Sequence, residues 1–349
     1  MLLVELKELL HAVAQKQASD VHLAVGEPPV FRVNGSLVRM DAEGLSTEDV
    51  GAAIGTLLPA ERKDELEQEG AVDFSVSWSG LGRLRVNVYR QRGTFAVAMR
   101  LIPSEIKTLE QLGLPANLTS LCDLPSGLVL VTGPTGSGKS TTLAALVDYI
   151  NTKYSRHIIT LEDPIEIVHQ PKAGMVNQRE IGVDVATFEG GLRSALRQDP
   201  DVILLGEMRD LDTISHALQA AETGHLVLST LHTADAASTI DRIVSVYPPG
   251  QQQQVRVQLA NSLQGVISQR LFPRADRPGR VVATETMLVT PAIRNYIRKG
   301  ETQQLESAIQ TGGQLGMKTM VASIRELMQK GLIAPTEFQA YQRYRQEAC

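Results

Sequence analysis

Apolar residues recur at helical spacing from the start of the chain: Leu2, Leu3, Leu6, Leu9, Leu10 and Val13 fall on one face of a 3.6-residue turn. An amphipathic helix therefore opens the sequence. The pattern then shortens, and strands are predicted over residues 21–25 and 30–33, with Pro28-Pro29 and Asn34-Gly35 as turn signals. Helices follow over 47–58, with Ser46 as N-cap, and over 60–68. Three alternating stretches at 72–78, 84–90 and 94–101 read as an antiparallel meander whose turns are Gly80-Leu81-Gly82 and Arg92-Gly93. These elements make a small α+β domain.

Residues 102–125 carry Pro103, Pro115 and Pro125 and read as a linker, with the domain boundary near 112. The predicted domains are 1–111 and 112–349. From Gly127 onward apolar strands alternate with helices, which implies an α/β fold with a mainly parallel sheet. Its strands are predicted at 128–132, 157–161, 175–177, 202–205 and 226–230, with two more at 266–272 and 280–287. From Pro291 the chain is helical.

One polar interruption carries chemistry. Gly133-Pro134-Thr135-Gly136-Ser137-Gly138-Lys139-Ser140-Thr141 fits G-x-x-x-x-G-K-[ST] and lies between an apolar strand and a helix. A helix N-terminus presents unpaired N–H groups and the positive end of its dipole, both suited to phosphate. Glycines let the backbone approach that ligand closely. Lys139 is expected on the β- and γ-phosphates, and Ser140 on Mg²⁺. All nine residues, 133–141, are candidate ATP contacts.

Composition narrows the class. Of 349 residues 43% are apolar and 21% charged, as in a globular protein, and the length favours two domains. A net charge of −5 argues against a dedicated nucleic-acid binder, so no nucleic-acid partner is expected. Cys122 and Cys349 fit no metal spacing and read as free thiols in a reducing compartment. No stretch approaches the roughly 20 apolar residues of a membrane span. The residues from Met1 to Glu8 lack the marks of a signal peptide, so a cytoplasmic location is expected.

Three further segments end predicted strands. The first runs Thr160-Leu161-Glu162-Asp163-Pro164-Ile165-Glu166, whose carboxylates could hold Mg²⁺ or orient a water, or could be solvated turn residues. The second is Val202-Ile203-Leu204-Leu205-Gly206-Glu207, a Walker B-like strand in which Gly206 replaces the usual strand-end Asp, leaving Glu207 as the carboxylate. The third places His225 and His232 around one apolar strand. Their spacing puts them on opposite faces, so a shared metal site is not expected, and one of them is a candidate γ-phosphate sensor.

These motifs, in this order, resemble the secretion ATPases of type II and type IV pilus systems. Within them Ala18-Ser19-Asp20-Val21-His22-Leu23, the segment 292–299 and the stretch from Ser307 to Met320 resemble the PilT-type retraction branch. That branch usually has Leu where Tyr296 stands and Glu where Lys299 stands. The long N-terminal region and four-cysteine zinc site of the assembly ATPases are lacking here. The resemblance implies a RecA-like P-loop ATPase domain preceded by a smaller PAS-like α+β domain, a homohexamer, and a motor that retracts pili through an inner-membrane platform protein. It implies a peripheral location at that membrane. It assigns the polarising of the attacking water to Glu166, support of Mg²⁺ and water to Glu207, and γ-phosphate contact to His225, with His232 as a weaker candidate. Arginines of the meander are implied to reach nucleotide. Arg85 and Arg100 match best, with Arg83, Arg90 and Arg92 competing. An assembly-type or accessory pilus ATPase shares every catalytic motif and is the alternative. A nucleic-acid motor on the same core and a non-hydrolysing regulator are the more distant rivals.

Overall fold

The computed structural model describes residues 2–16, 18–33, 35–78, 82–102 and 105–348. Met1, Asn34 and Gly80-Leu81 of two expected turns, Pro103 of the linker, and Cys349 lie outside them. The chain forms two compact units. One comprises Met1–Glu105 together with Pro164–Val168; the other comprises Ile106–Asp163 and His169–Cys349. Residues 106–111 therefore group with the second unit, and the acidic segment is divided, Thr160–Asp163 grouping with the second unit and Pro164–Glu166 with the first.

In the first unit β1 (Asp20–Ala24), β2 (Val30–Val33), β3 (Ser36–Arg39), β4 (Ala71–Trp78), β5 (Gly82–Gln91) and β6 (Thr94–Ile102) form an antiparallel sheet in the order β3-β2-β1-β6-β5-β4. Alternation along the strands decides which face is covered. Val21, Phe31, Phe74, Val86 and Met99 are buried together with Leu6, Leu10 and Val13 of the helix Leu2–Gln15 and Val50, Ile54 and Leu57 of the helix Thr47–Leu57. The latter helix starts at Ser46 in a reciprocal capping box with Asp49. The sequence pattern did not show β3, because all four of its residues are exposed and carry no inside–outside alternation.

The second unit is built on β7 (Gly127–Thr132), β8 (His157–Glu162), β9 (Met175–Glu180), β10 (Val202–Leu205), β11 (Leu226–Leu231), β12 (Leu263–Pro273) and β13 (Arg280–Leu288). Their order is β13-β12-β7-β11-β10-β8-β9, parallel throughout except for the antiparallel edge pair β12·β13. Leu128 and Leu130 belong to one core cluster and Val129 and Val131 to another, so β7 is buried on both faces. That is why its sequence is an unbroken apolar run. The parallel register brings the ends of β7, β8, β10 and β11 to one edge of the sheet, where α/β proteins bind ligands. No helix among the described residues is long and apolar enough to cross a membrane.

Candidate active site

The loop after β7 leads into the helix Lys139–Lys153, which starts on Gly138 at φ 91° with no side-chain cap. Its first N–H groups are thus not taken by a capping side chain, as an anion site requires. Gly133 has φ 144°, and a Cβ there would lie 2.4 Å from the Gln269 carbonyl oxygen and 2.7 Å from Ser137 Oγ. Only glycine fits this bend. Lys139 is buried, and its Nζ donates to the carbonyls of Gly133 at 2.9 Å and Pro134 at 3.3 Å. The ammonium is thereby folded back over the loop. Ser140 and Thr141 are exposed in the first helical turn. Backbone shape, helix terminus and cation all fit the phosphates of a nucleotide.

Beside the loop stands a chain of polar contacts. Lys139 Nζ is 3.4 Å from His232 Nδ1, and His232 Nε2 is 3.2 Å from Glu207 Oε2. An ammonium has no lone pair, so Nδ1 must accept, and the ring proton then sits on Nε2 and is donated to Glu207. Partial desolvation of the half-exposed ring, with the positive charges of Lys139 and Arg209 nearby, pushes the His232 imidazolium below the usual histidine range, which favours this neutral tautomer. Arg209 pairs with the other oxygen of Glu207. A cleft of about 340 Å³ opens next to Glu207, lined in part by Asp163, Phe188, Arg209 and Asp210.

The histidine expectation needs correction. His225 precedes β11 and His232 follows it, so the two lie about 20 Å apart along the strand. The His225 carbonyl accepts from Gly127 N at the start of β7, whereas the phosphate loop leaves from its end. Its Nδ1 is 3.0 Å from the Ala220 carbonyl. His225 thus closes a helix-to-strand turn on the far edge of the sheet. The phosphate-side histidine is His232.

Glu207 stands at the sheet edge, within reach of His232. Glu166 is exposed on Pro164–Val168, which groups with the first unit. Arg85 and Arg100 are direct register partners on β5 and β6, hence neighbours on one face of the first unit's sheet. Arg100 Nε donates to Asp20 Oδ1 at 2.8 Å. Gln269 escaped the sequence reading. It is 1% exposed, and its Nε2 donates to the Ser137 carbonyl at 2.7 Å, tying β12 to the phosphate loop. The signal was there: Ser268-Gln269 interrupts an apolar strand with two polar residues.

Loop, strand-end carboxylate and neutral histidine together define a P-loop nucleoside triphosphatase site, and the chain belongs to the type II/IV secretion system protein family, which matches residues 2–340. Within that family it falls in the PilT-type retraction branch. The type IV pilus retraction ATPase PilT of Pseudomonas aeruginosa is 50% identical over 331 residues, spanning 95% of this chain and 96% of that protein. A twitching motility protein of Neisseria gonorrhoeae is 47% identical across 88% of this chain and 82% of its own. The crystal structure of the pilus retraction motor PilT with bound ADP superposes with a TM-score of 0.90 at 47% identity, covering 95% of each chain.

Proposed function

We propose that this chain is a motor ATPase that hydrolyses ATP to drive type IV pilus retraction. The observation that carries the chemistry is the contact chain from Lys139 through His232 to Glu207 beside a glycine-formed phosphate cradle. Water attacks the γ-phosphorus, the bond to the bridging oxygen breaks, and ADP and inorganic phosphate leave. Lys139 is held where it can neutralise phosphate charge, and such placement of fixed charge is the main catalytic resource in phosphoryl transfer. His232, neutral and donating to Glu207, holds that carboxylate in position and passes no net charge to the site. Glu166 is the residue we assign to orienting the attacking water and receiving its proton. Mg²⁺ suits the Ser140 hydroxyl and the Glu207 carboxylate, and would supply charge neutralisation on the phosphate oxygens.

Arg85 and Arg100 are the arginines we assign to transition-state charge, a task suited to permanently charged, planar guanidinium groups. We further read the working form as a homohexamer acting on an inner-membrane platform protein from the cytoplasmic side. The test is a gene deletion scored for surface pili. Accumulated, non-retracting pili that are cleared by the wild-type gene but not by a Lys139→Ala copy support the reading. Bald cells overturn it and point to assembly.

A further inference from the structure

The acidic segment leaves the second unit after Asp163 and rejoins it at His169. Both feet of this excursion are held by one side chain. Gln178 lies on β9 opposite Thr160. Its Nε2 donates to Glu162 Oε1 at 3.0 Å on the departing side, and its Oε1 accepts from the His169 backbone N–H at 2.8 Å on the returning side. Thr160 Oγ1 donates to the same Glu162 oxygen at 2.6 Å. On the returning side Asn151, fully buried on the phosphate-loop helix, donates to the Gln170 carbonyl at 2.8 Å. His169 itself is buried and neutral, pushed down to about 4 by desolvation.

An amide suits this place because it offers a donor to a carboxylate and an acceptor to a backbone N–H at once. A carboxylate in the same place would keep the acceptor and lose the donor. We propose that Gln178 is a positioning residue for the hydrolytic step: it clasps the two feet, both in the second unit, between which the segment bearing Glu166 departs and returns. This rests on the assignment of Glu166 to the attacking water. Gln178 is not in the phosphate loop, so its effect belongs to kcat and not to nucleotide affinity. A catalytic group displaced by about 1 Å costs on the order of a hundredfold in rate.

The test uses the full chain with Gln178→Ala, Gln178→Glu and Glu166→Gln measured side by side for steady-state ATP hydrolysis and for binding of a fluorescent ADP. Gln178→Ala should lower kcat by about ten- to a hundredfold, with KM and ADP affinity within about twofold of wild type. Gln178→Glu should show a pH profile that wild type lacks. Its new carboxylate faces Glu162, with Glu180 the register partner of Glu162 and Asp148 and Lys172 beside His169. When ionised it repels Glu162; when protonated it restores the donor. Its activity relative to wild type should therefore rise as pH is lowered from 8 towards 6, by roughly tenfold. A Gln178→Glu profile parallel to wild type, an unimpaired Gln178→Ala kcat, or loss of ADP binding in both variants overturns the proposal. If Glu166→Gln is inactive while both Gln178 variants turn over normally, the clasp fails and the role of Glu166 stands. If Glu166→Gln is fully active, the assignment beneath it fails.

Discussion

Replacing His232 by Ala, with His225→Ala as its control, separates the two histidines by mechanism. In wild type the His232 ring holds one contact to the Lys139 ammonium at 3.4 Å and one to the Glu207 carboxylate at 3.2 Å. A hydrogen bond to a charged group contributes about 1.5–3 kcal/mol, and both of these are long for their type. We therefore assign about 2 kcal/mol to the pair, which corresponds to a fall of roughly thirtyfold in kcat. His225→Ala removes only contacts around Thr223 and Ala220, at the opposite end of β11, and should change kcat by less than about twofold. The assay is phosphate release at saturating ATP, with ADP affinity measured alongside to confirm that the cradle is intact. A pH series adds a second check. The folded-state value of His232 is lowered, so protonation sets in only below the usual histidine range. Acid then places a second N–H against the Lys139 ammonium, and a low-pH limb present in wild type should be absent from His232→Ala. If His225→Ala costs more than His232→Ala, or His232→Ala stays within about twofold of wild type, the tautomer argument is refuted.

Three other outcomes follow from the geometry. Gly133→Ala forces a Cβ into the Gln269 carbonyl at 2.4 Å, whereas Gly136 has open space around it and only a φ of 77° to strain; Gly133→Ala should therefore lose more ADP affinity than Gly136→Ala in a direct titration. Glu285, which accepts from the N–H groups of Ala236 at 2.9 Å and Met320 at 3.4 Å, is pushed up to about 7 by burial and by Asp235 and Glu306, against an ordinary 4.5. A raised carboxylate disfavours the ionised folded form, so its contribution to stability is highest below pH 4.5, falls as pH rises to about 7 and is level above. The fall is roughly 3 kcal/mol, and the stability difference between wild type and Glu285→Gln in urea unfolding at pH 5 and pH 8 should report it; the same difference at both pH values would contradict it. Finally, if Arg100 serves a neighbouring subunit's nucleotide, mixing Arg100→Ala with Lys139→Ala protein should recover part of the ATPase rate, and an unchanged sum of the two would count against a shared site.

Much of the second unit could be read directly from the chain because its central strands β7, β10 and β11 are buried along their whole length. Runs such as Val202-Ile203-Leu204-Leu205 leave little else for the backbone to do, and the glycine–lysine loop names its own ligand class. What escaped was set by register. His225 and His232 are equally polar flanks of one strand in sequence, and only the parallel alignment of β11 with β7 shows which flank shares an edge with the phosphate loop. Gln269 and Gln178 escaped for a related reason. Each acts across strands, on Ser137 and on Glu162 with His169, and such pairings have no local signature. The edge strand β3 carries no alternation at all.

The membership of Pro164–Val168 in the first unit makes the chain topologically a weave and not two beads on a string. No single cut yields two complete pieces. A fragment ending at Glu105 lacks a strip of its own fold, and one beginning at Ile106 carries that strip without the unit it groups with. A protease nick on either side of the strip would divide the second unit's own chain and leave the strip joined to only one half of it. Evolution of such a chain by swapping its front half for another is correspondingly constrained, because five residues of the first unit, Glu166 among them, are encoded within the sequence of the second.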